Sequence, residues 1–213
     1  MLFRSGDNAP LEIIRGAAQA ANEYGVGIIL TGSESIIRRV AAEDGIDLNG
    51  ISIVDAPDVI SMEDEPRSIL KEHKDCSMAE GLRRLAAGEG DAFVSAGSTG
   101  ALIMGGTFIV KRIKGVSRAA LAVLMPGDKG PFMLLDVGAN ADSRPEMLLQ
   151  FAHMGSIYMS SIMGEGKPVT VGLVNVGTED TKGGELQHAA FALMKESGLN
   201  FAGNIEARDR SEE

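Results

Sequence analysis

Three glycine-rich corners hold the side chains best suited to chemistry. The first is Gly97-Ser98-Thr99-Gly100, where the apolar run from Asp91 to Ala96 breaks into glycines and hydroxyls before apolar residues resume at helical spacing. The second is Asp136-Val137-Gly138-Ala139-Asn140, with Asp142 close behind, and the third runs from Asn175 through Gly177 to Lys182-Gly183-Gly184. A helix N-terminus offers unpaired N–H groups and a partial positive charge, which suits an oxyanion. Each corner also has a purely structural use. Glycine lets a helix sit close to a sheet, Ser98 and Thr99 can cap the helix that follows, Asp136 and Asp142 can fix turns, and Lys182 can be a solvated lysine. Three such corners on one sheet edge favour a shared site, because turns need no common chemistry.

The spacings also exclude reactions. No corner ends in the Gly-Lys-Ser/Thr of a nucleotide-binding P-loop, and no Gly-x-Gly-x-x-Gly opens an early βαβ unit. No Gly-x-Ser-x-Gly elbow supplies an acyl-serine nucleophile. His73, His153 and His188 are isolated, and with Cys76 they show no metal-ligand spacing. What remains is rich in N–H groups, hydroxyls, amides and one lysine. That set suits phosphate binding and stabilisation of a developing oxyanion.

Composition agrees. A net charge of −10 with 4% aromatic residues and no basic run argues against nucleic acid. An acidic chain that binds an anion needs preorganised N–H donors, which glycine-rich corners supply. No apolar run approaches the roughly 18–20 residues that span a bilayer, and the first residues lack a secretory layout. A single cysteine among 213 residues excludes an internal disulfide framework and fits a reducing cytoplasm.

The elements that must position these corners alternate. Helices are predicted from the Asn8-Ala9-Pro10 start to Tyr24, over 33–44, from Pro66 to about His73, and over 77–87, 99–112, 145–163 and 183–196. Asn8 is expected to cap the first helix. Strands are predicted over 26–30, 51–55, 91–96, 120–125, 132–137, 169–176 and 199–203. The pair around Gly127 suits an antiparallel hairpin. Such alternation predicts one α/β domain with a mostly parallel sheet covered on both faces.

Several longer segments carry a resemblance. They are Gly6-Asp7-Asn8-Ala9-Pro10, the stretch from Val94 to Leu102, Arg112-Ile113-Lys114-Gly115, the stretch from Leu134 to Asn140, the stretch from Pro145 to Ser156, and the stretch from Gly203 to Asp209. In this order they closely resemble the bacterial phosphate acyltransferase family (PlsX). Ser98 replaces an asparagine common in that family, and Ser143-Arg144 replaces a common Cys-Lys, so the positive charge is kept. The resemblance implies a three-layer α/β/α sandwich like those of phosphotransacetylases and isocitrate dehydrogenase. It implies a cytoplasmic homodimer with peripheral membrane association, and transfer of a fatty acyl group from acyl carrier protein to inorganic phosphate for phospholipid synthesis.

With that reaction in view, Ser98, Thr99 and Gly100 are expected to hold phosphate, with Gly97, Asp136, Gly138 and Gly177 lining the substrate site. Lys182 would neutralise phosphate or the thioester oxyanion. Asn140 and Asn175 would orient either group, and Asp7 is the best available proton acceptor. No metal or organic cofactor is called for. Acyl-coenzyme A as donor, or a non-catalytic acyl- or phosphate-binding module, are the competing readings. Leu2-Phe3-Arg4-Ser5 and Arg210-Ser211-Glu212-Glu213 can be encoded by reverse-complementary DNA, as one sequencing adapter read at both ends would give. Residues 1–5 and 210–213 are therefore expected to be non-native, 6–209 to be an incomplete acyltransferase domain, and this chain by itself to be inactive and poorly stable.

Overall fold

Apolar residues at helical spacing set the first layer. Helix α1 (Leu11–Tyr24) buries Ile14, Ala17 and Ala18, three and four positions apart, and stops at Gly25 in the left-handed conformation (φ 62°). The computed structural model describes residues 8–128, 130–164 and 168–206. They fall into two units, one ending at Lys114 and the other beginning at Gly115. At the start of α1 the cap position is Pro10 with no side-chain cap bond, so Asn8 contributes its carbonyl to the Glu12 N–H rather than its side chain.

In the first unit, β1 (Ile28–Gly32), α2 (Glu34–Glu43) and β2 (Ile51–Asp55) form a βαβ unit, the strands parallel with Ile28 opposite Ile51 and Gly32 opposite Asp55. Asp55 closes it: its Oδ1 accepts the Glu34 N–H at 2.9 Å, placing a carboxylate on the positive end of α2. Ile14, Leu30 and Ile37 are buried together, each contributing roughly 1.5–3 kcal/mol on leaving water. A 3₁₀ turn (Pro66–Leu70), α3 (Ser77–Ala86) and α4 (Thr99–Gly105) enclose a second core of Ile60, Ile69, Cys76, Met78, Ala79, Leu82 and Ala101.

Two expectations fail here. Residues 91–96 form no strand among the described residues; the segment pairs with no neighbour, and Val94 is 61% exposed. Of its apolar residues, Phe93 packs on α3 beside Gly81. The helix expected over 99–112 leaves α geometry at Gly106, widens into a π turn (Gly106–Val110) and ends at Lys111 with φ 75°. Two consecutive glycines, Gly105 and Gly106, weaken the α ladder at that point. Nor is this segment mostly buried, since Phe108 is 53% exposed.

In the second unit, β3 (Ala122–Met125) and β4 (Phe132–Leu135) form the expected antiparallel hairpin. Helix α5 (Pro145–Met163) spans the expected residues. Strand β5 (Val171–Val174), α6 (Glu185–Glu196) and β6 (Phe201–Ile205) make a second βαβ unit with parallel strands. Leu173, Ala190 and Met194 are its buried core. Among the described residues the paired strands thus form three two-stranded sheets, two parallel and one antiparallel.

Gly105 tests the packing around α4. A Cβ there would lie 2.3 Å from Leu82 Cδ1 and 3.2 Å from Ile69 Cδ1. Gly105→Val is expected to cost about 1–3 kcal/mol by overpacking, read as a lowered denaturation midpoint. An unchanged midpoint would mean that α4 does not press on α3.

Candidate functional site

The first corner is built on the N-terminus of α4. Ser98 sits at the cap, 7% exposed, with Oγ accepting the Ala101 N–H at 3.3 Å and its carbonyl accepting the Leu102 N–H at 2.9 Å. Ser95 Oγ accepts the Gly97 N–H at 3.0 Å. A Cβ on Gly100 would lie 2.7 Å from Pro66 Cγ, so glycine is required for close approach to the 3₁₀ turn. Capping and packing therefore both operate at this corner. Thr99 is exposed.

The second corner is organised by one carboxylate. Asp136 Oδ1 accepts the N–H groups of Leu121 (2.9 Å) and Ala139 (3.0 Å), and Oδ2 accepts the backbone and side-chain N–H of Asn140, both at 2.9 Å. Asn140 Nδ2 also reaches the Ala119 carbonyl at 2.9 Å. Partial burial pushes the Asp136 pKa up, but the donors, led by the Asn140 amide, prevail and hold it below the ordinary aspartate value. Asp136 and Asn140 thus tie β3's entry to β4's exit. The exposed residues of this corner are Val137 and Gly138.

The third corner begins where β5 ends. Asn175 Nδ2 donates to the Lys182 carbonyl (3.0 Å) and to Asn204 Oδ1 (3.1 Å), while its own Oδ1 accepts the Val176 N–H at 2.8 Å. Asn204, 6% exposed on β6, donates to the Glu179 carbonyl at 2.8 Å. This pair of asparagines pins the loop across the strand ends. A Cβ on Gly177 would lie 2.9 Å from both Lys182 Cγ and Glu179 Oε2, so glycine leaves room for these side chains. Lys182 Nζ lies 3.8 Å from Glu179 Oε1, and its side chain is about half exposed.

The first corner belongs to the unit ending at Lys114 and the other two to the unit beginning at Gly115. Asp7 lies outside the described residues, as do residues 1–5 and 210–213. Sequence reasoning left Asn204 without a role; the signal was a lone amide inside the strand Phe201–Ile205. It also left His73 isolated, whereas its Nδ1 lies 3.1 Å from Asp58 Oδ2 and its Nε2 3.6 Å from Asp64 Oδ2. No group of three or more metal-ligating side chains occurs among the described residues. Cys76 is fully buried, and burial pushes its thiol pKa up, which makes it a poor nucleophile.

Because the pKa of Asp136 is depressed on folding, its contribution to stability is present above the unfolded value, near 3.9, and is lost as pH falls through the lowered folded value. Asp136→Ala strands several part-buried donors and is expected to destabilise by about 2–3 kcal/mol at pH 7. The deficit should shrink at pH 2–3 in denaturant titrations. A deficit independent of pH would assign the loss to packing alone.

Comparison with known proteins places these corners in context. The family model described as "Fatty acid synthesis protein" matches residues 4–212. A phosphate acyltransferase of Clostridium botulinum is 46% identical over 205 residues, covering 96% of this chain and 61% of that protein. Proteins of the same name from Clostridium acetobutylicum (45% over 207 residues, 97% and 62%) and Desulforamulus reducens (47% over 205 residues, 96% and 61%) are similarly close. The chain thus spans about three-fifths of the length of these relatives. Among solved structures, a phosphotransacetylase of Streptococcus pyogenes aligns with TM-score 0.69 at 16% identity, covering 97% of this chain and 68% of that one. One from Staphylococcus aureus aligns with TM-score 0.65 at 16%, covering 93% and 69%. These likenesses show the expected α/β/α fold of the phosphotransacetylase kind. The chain belongs to the fatty acid synthesis protein family, the bacterial phosphate acyltransferases that its motifs resemble.

Proposed function

We propose that this chain is the greater part of an acyltransferase that moves a fatty acyl group from acyl carrier protein to inorganic phosphate. The observation that carries this reading is the 46% identity to a phosphate acyltransferase across 96% of the chain. A phosphate oxygen attacks the thioester carbonyl carbon, the C–O bond forms, and the C–S bond breaks. The acyl phosphate leaves, and the carrier's thiolate takes up the proton that phosphate gives up. The thioester is already activated, so placement is the main task, and alignment of the two reactants can supply roughly 7–11 kcal/mol of the barrier.

In this reading the Thr99 hydroxyl and the N–H groups of Thr99 and Gly100 receive phosphate, since the Ser98 hydroxyl already caps α4. Gly97, Gly138 and Gly177 keep the substrate corners open. Asp136 holds Asn140 in place, and Asn175 and Asn140 orient the reacting groups. Lys182 meets the developing negative charge; its exposed pair with Glu179 is worth little in water, so the ammonium can turn to an anion at small cost. Asp7 remains the proposed proton acceptor, taking the proton from phosphate and passing it to the departing thiolate. The enzyme acts as a cytoplasmic homodimer that associates peripherally with the membrane, and its product enters phospholipid synthesis. No helix among the described residues is long and apolar enough to cross a membrane. Acyl-coenzyme A is the alternative donor.

Lys182 gives the sharpest test of the site. In a full-length protein containing this chain, Lys182→Ala should raise the KM for phosphate about tenfold or more, the loss of one charge-assisted contact of roughly 1.5–3 kcal/mol. The melting temperature should barely move. An unchanged phosphate KM would return Lys182 to the solvated surface.

A further inference from the structure

The exposed basic segment at the end of the π turn has no part in the chemistry above. From Ala92 to Gly127 the sequence holds no aspartate or glutamate, while Lys111, Arg112, Lys114 and Arg118 fall within eight residues of a chain whose net charge is −10. Lys111, Arg112, Ile113 and Lys114 are all exposed, Ile113 by 82%. Just upstream, Phe108 is 53% exposed in the π turn. Lys111 itself holds φ 75° and ψ 163°, a conformation that side-chain-bearing residues rarely adopt. Such backbone outliers and π turns recur at functional positions. Here they present charge and apolar surface together.

We propose that Lys111, Ile113 and Lys114 dock an acidic protein, which under the reading above is the carrier bearing the acyl thioester. Local charge complementarity decides for a protein over a membrane. The Debye length is about 8 Å at physiological salt, so a small acidic protein can engage this patch without feeling most of the remaining negative charge. The four bases also lie in irregular backbone rather than on an amphipathic helix or beside a membrane-spanning one, the settings in which basic clusters read as lipid-binding. Basic groups at the rim and an apolar residue between them are the usual parts of a steered, transient protein contact.

The test measures binding of a full-length protein containing this chain to acylated acyl carrier protein at 50 and 500 mM salt, by calorimetry or surface-based kinetics. Lys111→Glu/Lys114→Glu should weaken the complex about tenfold or more at low salt, and high salt should weaken the wild-type complex similarly. Lys114→Glu alone, at an ordinary backbone position, should show a smaller loss in the same direction and guards against misfolding of the double variant. Arg39→Glu/Lys195→Glu makes the same change in net charge elsewhere and should leave binding within about twofold. Equal losses in both double variants, no wild-type binding, or capture by phosphatidylglycerol vesicles that the Lys111/Lys114 pair controls would each overturn the proposal. Failure of a full-length protein to make acyl phosphate would overturn the enzymatic reading instead, while charge-dependent carrier binding at Lys111 and Lys114 would still stand.

Discussion

Irregular backbone at the ends of strands must find partners for its N–H and C=O groups, and here two small polar clusters supply them. Asp136 collects four N–H donors from Leu121, Ala139 and Asn140. Asn175 and Asn204 do the same for the loop from Val176 to Lys182, bonding carbonyls at Glu179 and Lys182. Without the part-buried bonds at Asp136, groups there would be left unpaired, at a cost of about 1–3 kcal/mol each. The bonds of both clusters fix where glycine and lysine stand. Rigidity at these corners thus rests on side chains that the sequence alone would assign to substrate.

That division of labour explains why a motif can hold for two reasons at once. Ser98 caps α4, and Gly100 makes room for Pro66. Both are structural demands, yet meeting them leaves Thr99 exposed at a helix start. Placement by preorganised N–H groups and hydroxyls needs a scaffold whose own hydrogen bonds are already satisfied.

Much of the fold was legible because burial imposes periodicity. Strand β2 and helix α5 occupy the residues their patterns predicted, since Ile51 to Asp55 sits between clear turn signals and Pro145 fixes a helix start. Residues 91–96 misled because an apolar run does not report whether a neighbouring strand is there to pair with it. The helix from Thr99 misled because its apolar spacing runs on through Gly105 and Gly106, where two adjacent glycines weaken the α ladder. Within the candidate site, the corners themselves were legible as polar, glycine-rich loops. The partner of Asn175 was not, since Asn204 lies twenty-nine residues away and only a parallel β5–β6 pairing brings them together.

The central claim is that phosphate is the acyl acceptor. Its most direct test follows free thiol released from acyl carrier protein thioester by a full-length protein containing this chain, with and without inorganic phosphate. The account predicts thiol release that requires phosphate and matches acyl phosphate formed, one for one. Thiol release at the same rate without phosphate, or with free fatty acid as the sole product, would contradict it.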